Sequence, residues 1–158
     1  MISDSVRQCS KLLAAKGYTI AFIESATAGR MCAEFSMCGE SGEILKGGIV
    51  CYDACVKESL LKIPAELIKT YTAESAEVTA ALAQQGMPIF NTDVLVAVTG
   101  LTGPGGSENE EKPVGTIFLH IQFPDGAVAF RGVFGGKPQS VVTQSIDKAA
   151  ELIIRRLS

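Results

Sequence analysis

Histidine is almost missing from this chain of 158 residues, which contains only His120. Structural zinc sites need clusters of cysteine and histidine ligands, and His120 stands alone in an apolar stretch. Its isolation from any cysteine or aspartate also argues against a Ser-His-Asp triad, for which it is the one weak candidate. We therefore expect no metal site and no ordinary histidine-dependent hydrolase.

Long runs of a single character are missing as well. No stretch approaches the roughly 18 uninterrupted apolar residues that a membrane-spanning helix needs. There is no run of lysine or arginine and the net charge is −3, whereas a nucleic-acid-binding protein normally presents a basic face to the phosphates. The first residues lack the basic-then-apolar order of a secretion signal. We expect a cytoplasmic protein that binds neither membranes nor nucleic acids.

Cysteine pairs of the C-x-x-C type are also absent. The number of cysteines is odd, and with no export signal this indicates reduced thiols in a cytoplasmic protein. The five residues are Cys9, Cys32, Cys38, Cys51 and Cys55.

Apolar residues, in contrast, make up 47% of the chain, and the mean hydropathy is +0.26. Such a composition excludes a disordered chain, which has few core-forming residues and a high net charge. The length suits one domain and is too short for two, and no linker or repeat divides it. We predict a single domain over residues 1–158.

Helical and strand patterns alternate in the first part of the chain, and a hairpin comes late. The unbroken apolar run at 93–99 predicts a buried strand, and Pro124-Asp125-Gly126 predicts a hairpin. This order favours an α/β fold with a mixed sheet between helices. The other predicted strands are 18–23, 47–52, 114–123 and 127–134; the longer helices are 6–16, 30–37, 76–87 and 140–157, and 39–42 is a loop.

Residues 24–29, Glu-Ser-Ala-Thr-Ala-Gly, form the first of three polar segments that follow predicted strands. In open α/β sheets the carboxyl ends of the strands are where ligands usually bind. A nucleophilic Ser25 would have free backbone N–H groups nearby for an oxyanion. On spacing alone, the favoured alternative is that Ser25 or Thr27 simply caps the following helix.

The second segment is residues 52–57, Tyr-Asp-Ala-Cys-Val-Lys. A lysine such as Lys57 acts as a base when burial or neighbouring charge lowers its pKa, and Tyr52 can relay or orient a proton. The alternative for Lys57 is a solvated surface lysine, which is the common case.

The third segment, residues 99–107, is rich in glycine, and Glu-Lys-Pro-Val-Gly follows at 111–115. Glycines let backbone amides approach an anion, so a phosphate cradle is one interpretation and a flexible connection is the other. It is neither a Walker loop nor a dinucleotide fingerprint, because no Gly-Lys-Ser/Thr is present and a strand follows instead of a helix.

Taken together, these segments resemble the CinA C-terminal domain family, the nicotinamide mononucleotide deamidases. Residues 24–29 look like the family's Glu-Ser-Cys-Thr-Gly-Gly, and residues 52–57 keep the first and last members of its Tyr-Ser-Asn-Glu-Ala-Lys. Residues 99–106 and 111–115 match its Thr-Gly-Ile-Ala-Gly-Pro-Gly-Gly and Glu-Lys-Pro-Val-Gly. The similarity spans essentially the whole chain, in order and with similar spacing.

The resemblance implies a three-layer α/β/α domain, often dimeric, that takes part in pyridine nucleotide salvage without an organic cofactor. The implied reaction hydrolyses the carboxamide of nicotinamide mononucleotide, a small-molecule substrate, to nicotinate mononucleotide and ammonia. Ser25 would attack the amide carbon, Lys57 with Tyr52 would manage its proton, and backbone amides after Ser25 would hold the oxyanion. The implied substrate-binding residues are Thr27, Gly29, Thr102, Gly103, Gly105 and Gly106, the last four near the phosphate or ribose.

Several positions depart from the family pattern. Ala26 and Ala28 replace a cysteine and a glycine, and Ala54 and Cys55 stand where the family has asparagine and glutamate. An Asp-Arg pair and a further arginine common after the last strand are absent, and Lys137 is an imperfect substitute because it lacks the forked guanidinium. Two alternatives therefore stay open: an inactive paralogue that keeps weak nucleotide binding, and an amidase with a different substrate.

Overall fold

The apolar run at residues 94–99 forms the central strand of a five-stranded sheet in the computed structural model, which describes residues 1–158. The strands are β1 (Ile20–Glu24), β2 (Leu45–Val50), β3 (Val94–Gly100), β4 (Thr116–Phe123) and β5 (Gly126–Val133). The helices are α1 (Asp4–Lys16), α2 (Arg30–Ser36), α3 (Ser41–Ile44), α4 (Ala54–Leu61), α5 (Ala65–Tyr71), α6 (Ala76–Phe90) and α7 (Pro138–Leu157).

The sheet is mixed, as the sequence predicts. Its strand order is β2-β1-β3-β4-β5, with β1 parallel to both β2 and β3. The hairpin strands β4 and β5 extend it antiparallel, so β4 pairs with β3 on one side and with β5 on the other. The carboxyl ends of β1, β2 and β3 therefore lie at the same edge as the start of β4 and the end of β5.

Two apolar cores cover the two faces of the sheet and give three layers. On one face, residues such as Phe22 and Val96 pack with apolar side chains of α1, α2, α3 and α7. On the other face, Ile23 and Leu95 pack with residues of α4 and α6. Because both faces of β1 and β3 are covered, these strands are apolar except at their carboxyl ends, instead of alternating. The chain is a single α/β domain of the predicted class.

The main difference from the sequence prediction lies at residues 39–42, predicted as a loop. Residues Ser41–Ile44 form the short helix α3, anchored by Ile44, which is 1% exposed in the first core. Glycine and serine at the start of this turn carry the loop-like composition, while the apolar residue that fixes the helix comes only at its end. None of the seven helices combines the length and apolar character needed to cross a bilayer.

Candidate active site

Two predicted residues from separate segments meet at the carboxyl ends of β1 and β2. The Nζ atom of Lys57 lies 2.9 Å from the Oγ atom of Ser25, and both side chains are buried. Ser25 follows β1 directly, and its N–H donates to the carbonyl of Val98 in β3 at 3.1 Å. The oxygen–nitrogen distance is within the reach that a nucleophile and its base require.

Helix α4 directs Lys57 towards Ser25. Asp53 caps this helix by accepting the N–H of Cys55 at 2.7 Å, and Lys57 lies one turn further along. The lysine is 1% exposed, and its amine also contacts the carbonyls of Cys51 at 2.7 Å and Tyr52 at 3.4 Å. The common alternative of a solvated lysine is therefore wrong for Lys57.

Burial also sets the direction in which Lys57 titrates. Loss of hydration lowers the pKa of the ammonium group, and the nearby groups of Cys51, Glu74 and Asp53 oppose this shift without cancelling it. Burial raises the pKa of the Cys51 thiol, which keeps that neighbour in its uncharged form at neutral pH. Burial thus shifts the pKa of Lys57 in the direction that increases the share of neutral amine, the form that can accept a proton.

Glu24, the last residue of β1, organises the segment that carries Ser25. Its carboxylate accepts the hydroxyl of Thr27 at 2.5 Å and the backbone N–H groups of Gly29, Met31 and Cys32 at 3.1, 3.0 and 2.7 Å. These N–H groups belong to the start of α2, which has no side-chain cap of its own. The interpretation that Ser25 or Thr27 caps this helix is wrong, because Glu24 supplies the acceptor.

The sequence analysis assigned Glu24 no role, although its position between a strand and a helix indicates one. A carboxylate at the end of a strand, just before a strand-to-helix turn, is well placed to meet the free N–H groups of the helix. The polar groups predicted to bind substrate at Thr27 and Gly29 both contact Glu24 instead, and neither residue lines the adjacent cavity.

The turn after Ser25 leaves two amides free. The N–H groups of Ala26 and Thr27 donate to no backbone or side-chain acceptor of the protein, while the N–H of Ala28 donates to the carbonyl of Ser25. Ala26 lines the cavity beside Ser25. Ala28 has a φ of 50°, a conformation that favours glycine, but its side chain is exposed and lies outside the cavity lining.

A cavity of about 320 Å³ opens beside Ser25. The four predicted residues Thr102, Gly103, Gly105 and Gly106 all line it, so the structure brings the glycine-rich segment to the Ser25–Lys57 pair. The remaining lining residues are Ser25, Ala26, Tyr52, Glu74, Gly100, Leu101 and Pro104.

Tyr52 also lines the cavity, but its phenol stands apart from the pair. The side chain is 67% exposed, and only its backbone carbonyl contacts Lys57. The phenol donates no hydrogen bond to Ser25 or Lys57, so the structure places it at the mouth of the cavity and not within the pair.

The backbone of the glycine-rich segment already holds an anion from the chain. The carboxylate of Glu108 accepts the N–H of Gly105 at 2.7 Å and that of Gly106 at 2.8 Å. These backbone hydrogen bonds lower the pKa of the Glu108 carboxyl group. The cradle expected for phosphate is thus occupied by a neighbouring side chain.

Lys112 ties this segment to the turn before α6. Its amine, 9% exposed as a residue, donates to the Oγ1 atom of Thr72 at 2.5 Å and to the carbonyl of Glu74 at 2.8 Å. The Oγ of Ser107 donates to the Oε2 of Glu74 at 2.5 Å, a second link between the same two segments. Lys112 and Ser107 therefore fix the wall of the cavity that carries Glu74.

No three histidine, cysteine, aspartate or glutamate side chains are grouped so that they could hold a metal ion. His120 lies on β4, and burial lowers its pKa.

Comparison with known proteins gives consistent matches. Residues 3–157 match the model of the family described as the CinA C-terminal domain. A CinA-like protein of Mycobacterium sp. (strain JLS) is 39% identical over 151 residues, which cover 95% of this chain and 35% of that protein. A CinA-like protein of Parasynechococcus marenigrum is 36% identical over 148 residues, or 92% of this chain and 35% of that protein. The chain thus spans about a third of the length of these relatives.

Solved structures share the same fold. A competence-damaged protein (CinA) superfamily protein from Klebsiella pneumoniae superimposes with a TM-score of 0.92 at 23% identity, covering 98% of this chain and 96% of that one. A competence or damage-inducible protein from Enterobacter asburiae gives a TM-score of 0.90 at 22% identity, covering 99% and 100%.

Proposed function

The chain belongs to the CinA C-terminal domain family, and from that membership and the Ser25–Lys57 pair we propose that it is an amidohydrolase acting on a small carboxamide. The observation that carries the proposal is the 2.9 Å distance between the buried lysine amine and the serine oxygen. The family resemblance makes nicotinamide mononucleotide the first substrate to test, with nicotinate mononucleotide and ammonia as products.

The contacts of Lys57 suit a base. A neutral amine has two N–H donors and one lone pair. When the amine is neutral, the carbonyls of Cys51 and Tyr52 can accept its two donors, and its lone pair can then accept the hydroxyl proton of Ser25, whose oxygen lies 2.9 Å from Nζ. The hydroxyl proton can then pass to Nζ as Oγ attacks the carbonyl carbon, the role of an adjacent base in nucleophilic catalysis.

The steps that follow use the same two groups. The amide C–N bond breaks, and the protonated Lys57 gives its proton to the departing nitrogen, which leaves as ammonia. An ester on Ser25 remains. Water then attacks this ester while Lys57 takes a proton from the water and returns one to Oγ, releasing the acid. The cycle consumes the carboxamide and water only, and it draws on no organic cofactor.

The free N–H groups of Ala26 and Thr27 are the proposed donors to the oxyanion. Both follow the nucleophile immediately and have no other acceptor, so they are available when negative charge develops on the carbonyl oxygen. Such preorganised donors typically contribute about 10²–10³ in rate. Tyr52, at the mouth of the cavity, is the proposed contact for the substrate ring or the leaving group.

One observation favours a second candidate, a non-catalytic paralogue that keeps the fold and only weak nucleotide binding. No arginine lines the cavity, and Lys137 at the start of α7 lies outside its lining. Under this alternative the substrate and product bind without turnover. In either case we propose a cytoplasmic homodimer whose ligand is a small molecule.

The test follows ammonia release from nicotinamide mononucleotide and from a panel of other primary carboxamides. The purified protein is compared with Ser25→Ala and Lys57→Ala, and Ser59→Ala, an exposed serine, is the matched control. We expect a loss of at least about 10³ in kcat for the first two variants and no change for the control. Equal turnover in all four proteins would contradict the proposed roles, and binding without turnover would favour the paralogue.

A further inference from the structure

The side chains that line the cavity beside Ser25 include a carboxylate and no cation. Among its lining residues the ionisable side chains are those of Tyr52 and Glu74, and no lysine or arginine is included. Glu74 is partly buried; its Oε2 accepts the hydroxyl of Ser107, while its Oε1 accepts no hydrogen bond. A carboxylate oxygen of Glu74 is therefore available to a ligand at the wall of the cavity that Ser107 and Lys112 hold in place.

The donors that would serve a phosphate are already engaged. The N–H groups of Gly105 and Gly106 bind the carboxylate of Glu108 at 2.7 and 2.8 Å. A phosphate at the same place would have to displace Glu108 and would then lie close to a carboxylate that had lost its own partners. Like charges at such distances repel.

The nearby lysines are also engaged within the protein. The amine of Lys57 contacts Ser25, Cys51 and Tyr52, and the amine of Lys112 contacts Thr72 and the carbonyl of Glu74. Neither side chain lines the cavity.

Two further cations lie near this edge, both outside the lining of the cavity: Arg131 of β5, whose guanidinium donates to the carbonyl of Glu111, and Lys137, which is exposed at the start of α7. The helix begins close to the segment, since a Cβ on Gly103 would lie 3.8 Å from the ring of Pro138. A phosphate that extended from the cavity towards α7 would meet the exposed ammonium of Lys137. One exposed lysine is a weaker anion site than the forked, doubly hydrogen-bonded contact that arginine provides.

We propose that the substrate is a primary carboxamide that carries a positive charge and no phosphate, with Glu74 and the exposed ring of Tyr52 facing its cation. The proposal rests on the proposed amidohydrolase function and names the substrate class of that site. A carboxylate attracts the cation directly, and an aromatic face attracts it through its quadrupole. Glu108 enforces the selectivity by holding the amides that a phosphate would use.

The test compares two pyridinium carboxamides that differ by one phosphate: nicotinamide mononucleotide and its dephosphorylated riboside. We expect kcat/KM for ammonia release to be at least about tenfold higher for the riboside, since charged hydrogen bonds of ordinary strength correspond to about that factor or more. A preference for the mononucleotide overturns the proposal.

Three variants test which residues cause the expected preference for the riboside. Glu108→Ala frees the N–H groups of Gly105 and Gly106. We expect this variant to raise kcat/KM for the mononucleotide about tenfold relative to kcat/KM for the riboside. Glu74→Gln keeps the acceptor for Ser107 but removes the charge, so turnover of the riboside should fall. Glu110→Ala is the matched control, because Glu110 is an exposed carboxylate of the same segment and contacts no amide. Unchanged selectivity in Glu108→Ala overturns the role given to Glu108.

Binding separates a failure of this proposal from a failure of the proposed function. The Ser25→Ala protein is titrated with both compounds by calorimetry, so no turnover is needed. Tighter binding of the riboside supports the inference even if the wild-type protein hydrolyses neither compound, in which case only the amidohydrolase function fails. Tighter binding of the mononucleotide, or no binding of either, overturns the inference.

Discussion

The hydroxyl of Thr27 donates a 2.5 Å hydrogen bond to the carboxylate of Glu24, three residues before it in the chain. The same carboxylate accepts three backbone N–H groups at the start of α2, so one side chain joins the end of β1 to the next helix. Ser25 lies between the acceptor and the donor. The position of the nucleophile is therefore set by a hydrogen-bond network that never touches its hydroxyl.

Replacing this acceptor gives the first prediction. Glu24→Gln has one acceptor oxygen in place of two and brings an amide that needs acceptors of its own, so buried N–H groups lose their partners. We expect a loss of about 1–3 kcal/mol in the free energy of unfolding and a lower kcat with little change in KM. Urea unfolding and steady-state ammonia release measure the two effects. Glu43→Gln on α3, an exposed glutamate, should change neither, and a Glu24→Gln protein that behaves like this control contradicts the role of Glu24.

The pH dependence of activity follows from Lys57. In the proposed mechanism the neutral amine is the base, and burial lowers the pKa of Lys57 below the ordinary value of 10.5. We therefore expect kcat/KM to rise with pH along a limb whose midpoint lies below 10.5. Lys57→Arg keeps a charge at every accessible pH, so its activity should fall by at least about 10³ without a rising limb. A wild-type profile that rises only above 10.5 would count against Lys57 as the base.

The same shift predicts how stability depends on pH. Because the pKa of Lys57 is lower in the folded protein than in the unfolded chain, the folded protein binds fewer protons between the two values. The free energy of unfolding should therefore rise with pH in this window, at up to about 1.4 kcal/mol per pH unit from this group, up to the unfolded value near 10.5. The free energy of unfolding of wild type minus that of Lys57→Met should therefore also increase with pH. Denaturant titrations of both proteins across this range measure it, and a constant difference contradicts the shift.

Loss of the Lys112 amine should loosen the wall of the cavity. Lys112→Met keeps much of the apolar stem but leaves the carbonyl of Glu74 and the hydroxyl of Thr72 without their donor. We expect a loss of about 1–3 kcal/mol in the free energy of unfolding, faster amide hydrogen exchange in residues 101–111, and a larger change in KM than in kcat. Lys69→Met, at an exposed lysine of α5, is the control. Equal exchange rates in the two variants would show that Lys112 does not hold this segment.

Replacing Gly115, the residue just before β4, tests how closely the backbone packs after the glycine-rich segment. The φ of Gly115 is +98°, and an added Cβ would lie 2.1 Å from the carbonyl oxygen of Phe134. Because this oxygen belongs to the backbone, the clash can be relieved only by moving the chain. We expect Gly115→Ala to lower the free energy of unfolding by at least about 2 kcal/mol. Gly39→Ala is the control, since a Cβ there meets nothing within 4 Å. Similar unfolding midpoints for the two variants contradict the clash.

The sequence predicts the fold and the position of the site well, but it predicts the contacts within the site less well. The buried strand at 94–99 and the hairpin around Pro124 follow from local composition, and local composition is preserved in the structure. Ser25 and Lys57 were identified because each follows a strand end, where parallel topology brings residues together. The burial of Lys57 was not predictable, because it depends on how α4 packs on the sheet and not on the residues beside it.

The contacts of the two glutamates show the same limit. Glu24 accepts N–H groups seven and eight residues ahead, and Glu108 accepts those of Gly105 and Gly106. Each interaction depends on the direction in which backbone amides point, which a pattern of residue types does not encode. The sequence therefore predicted an open cradle in the glycine-rich segment, where the structure has one that is already filled.

Because the sheet has the strand order β2-β1-β3, the Ser25–Lys57 pair and most of the cavity wall come from separate parts of the chain. Ser25 and Lys57 follow β1 and β2, whereas most of the cavity wall follows β3, and the two portions share few covalent neighbours. Diversification of residues 101–111, by nature or in a laboratory library, can thus retune what the protein accepts while the reacting pair is inherited unchanged. If the proposed amidohydrolase activity is found, this separation makes the domain a suitable starting scaffold for engineering its selectivity.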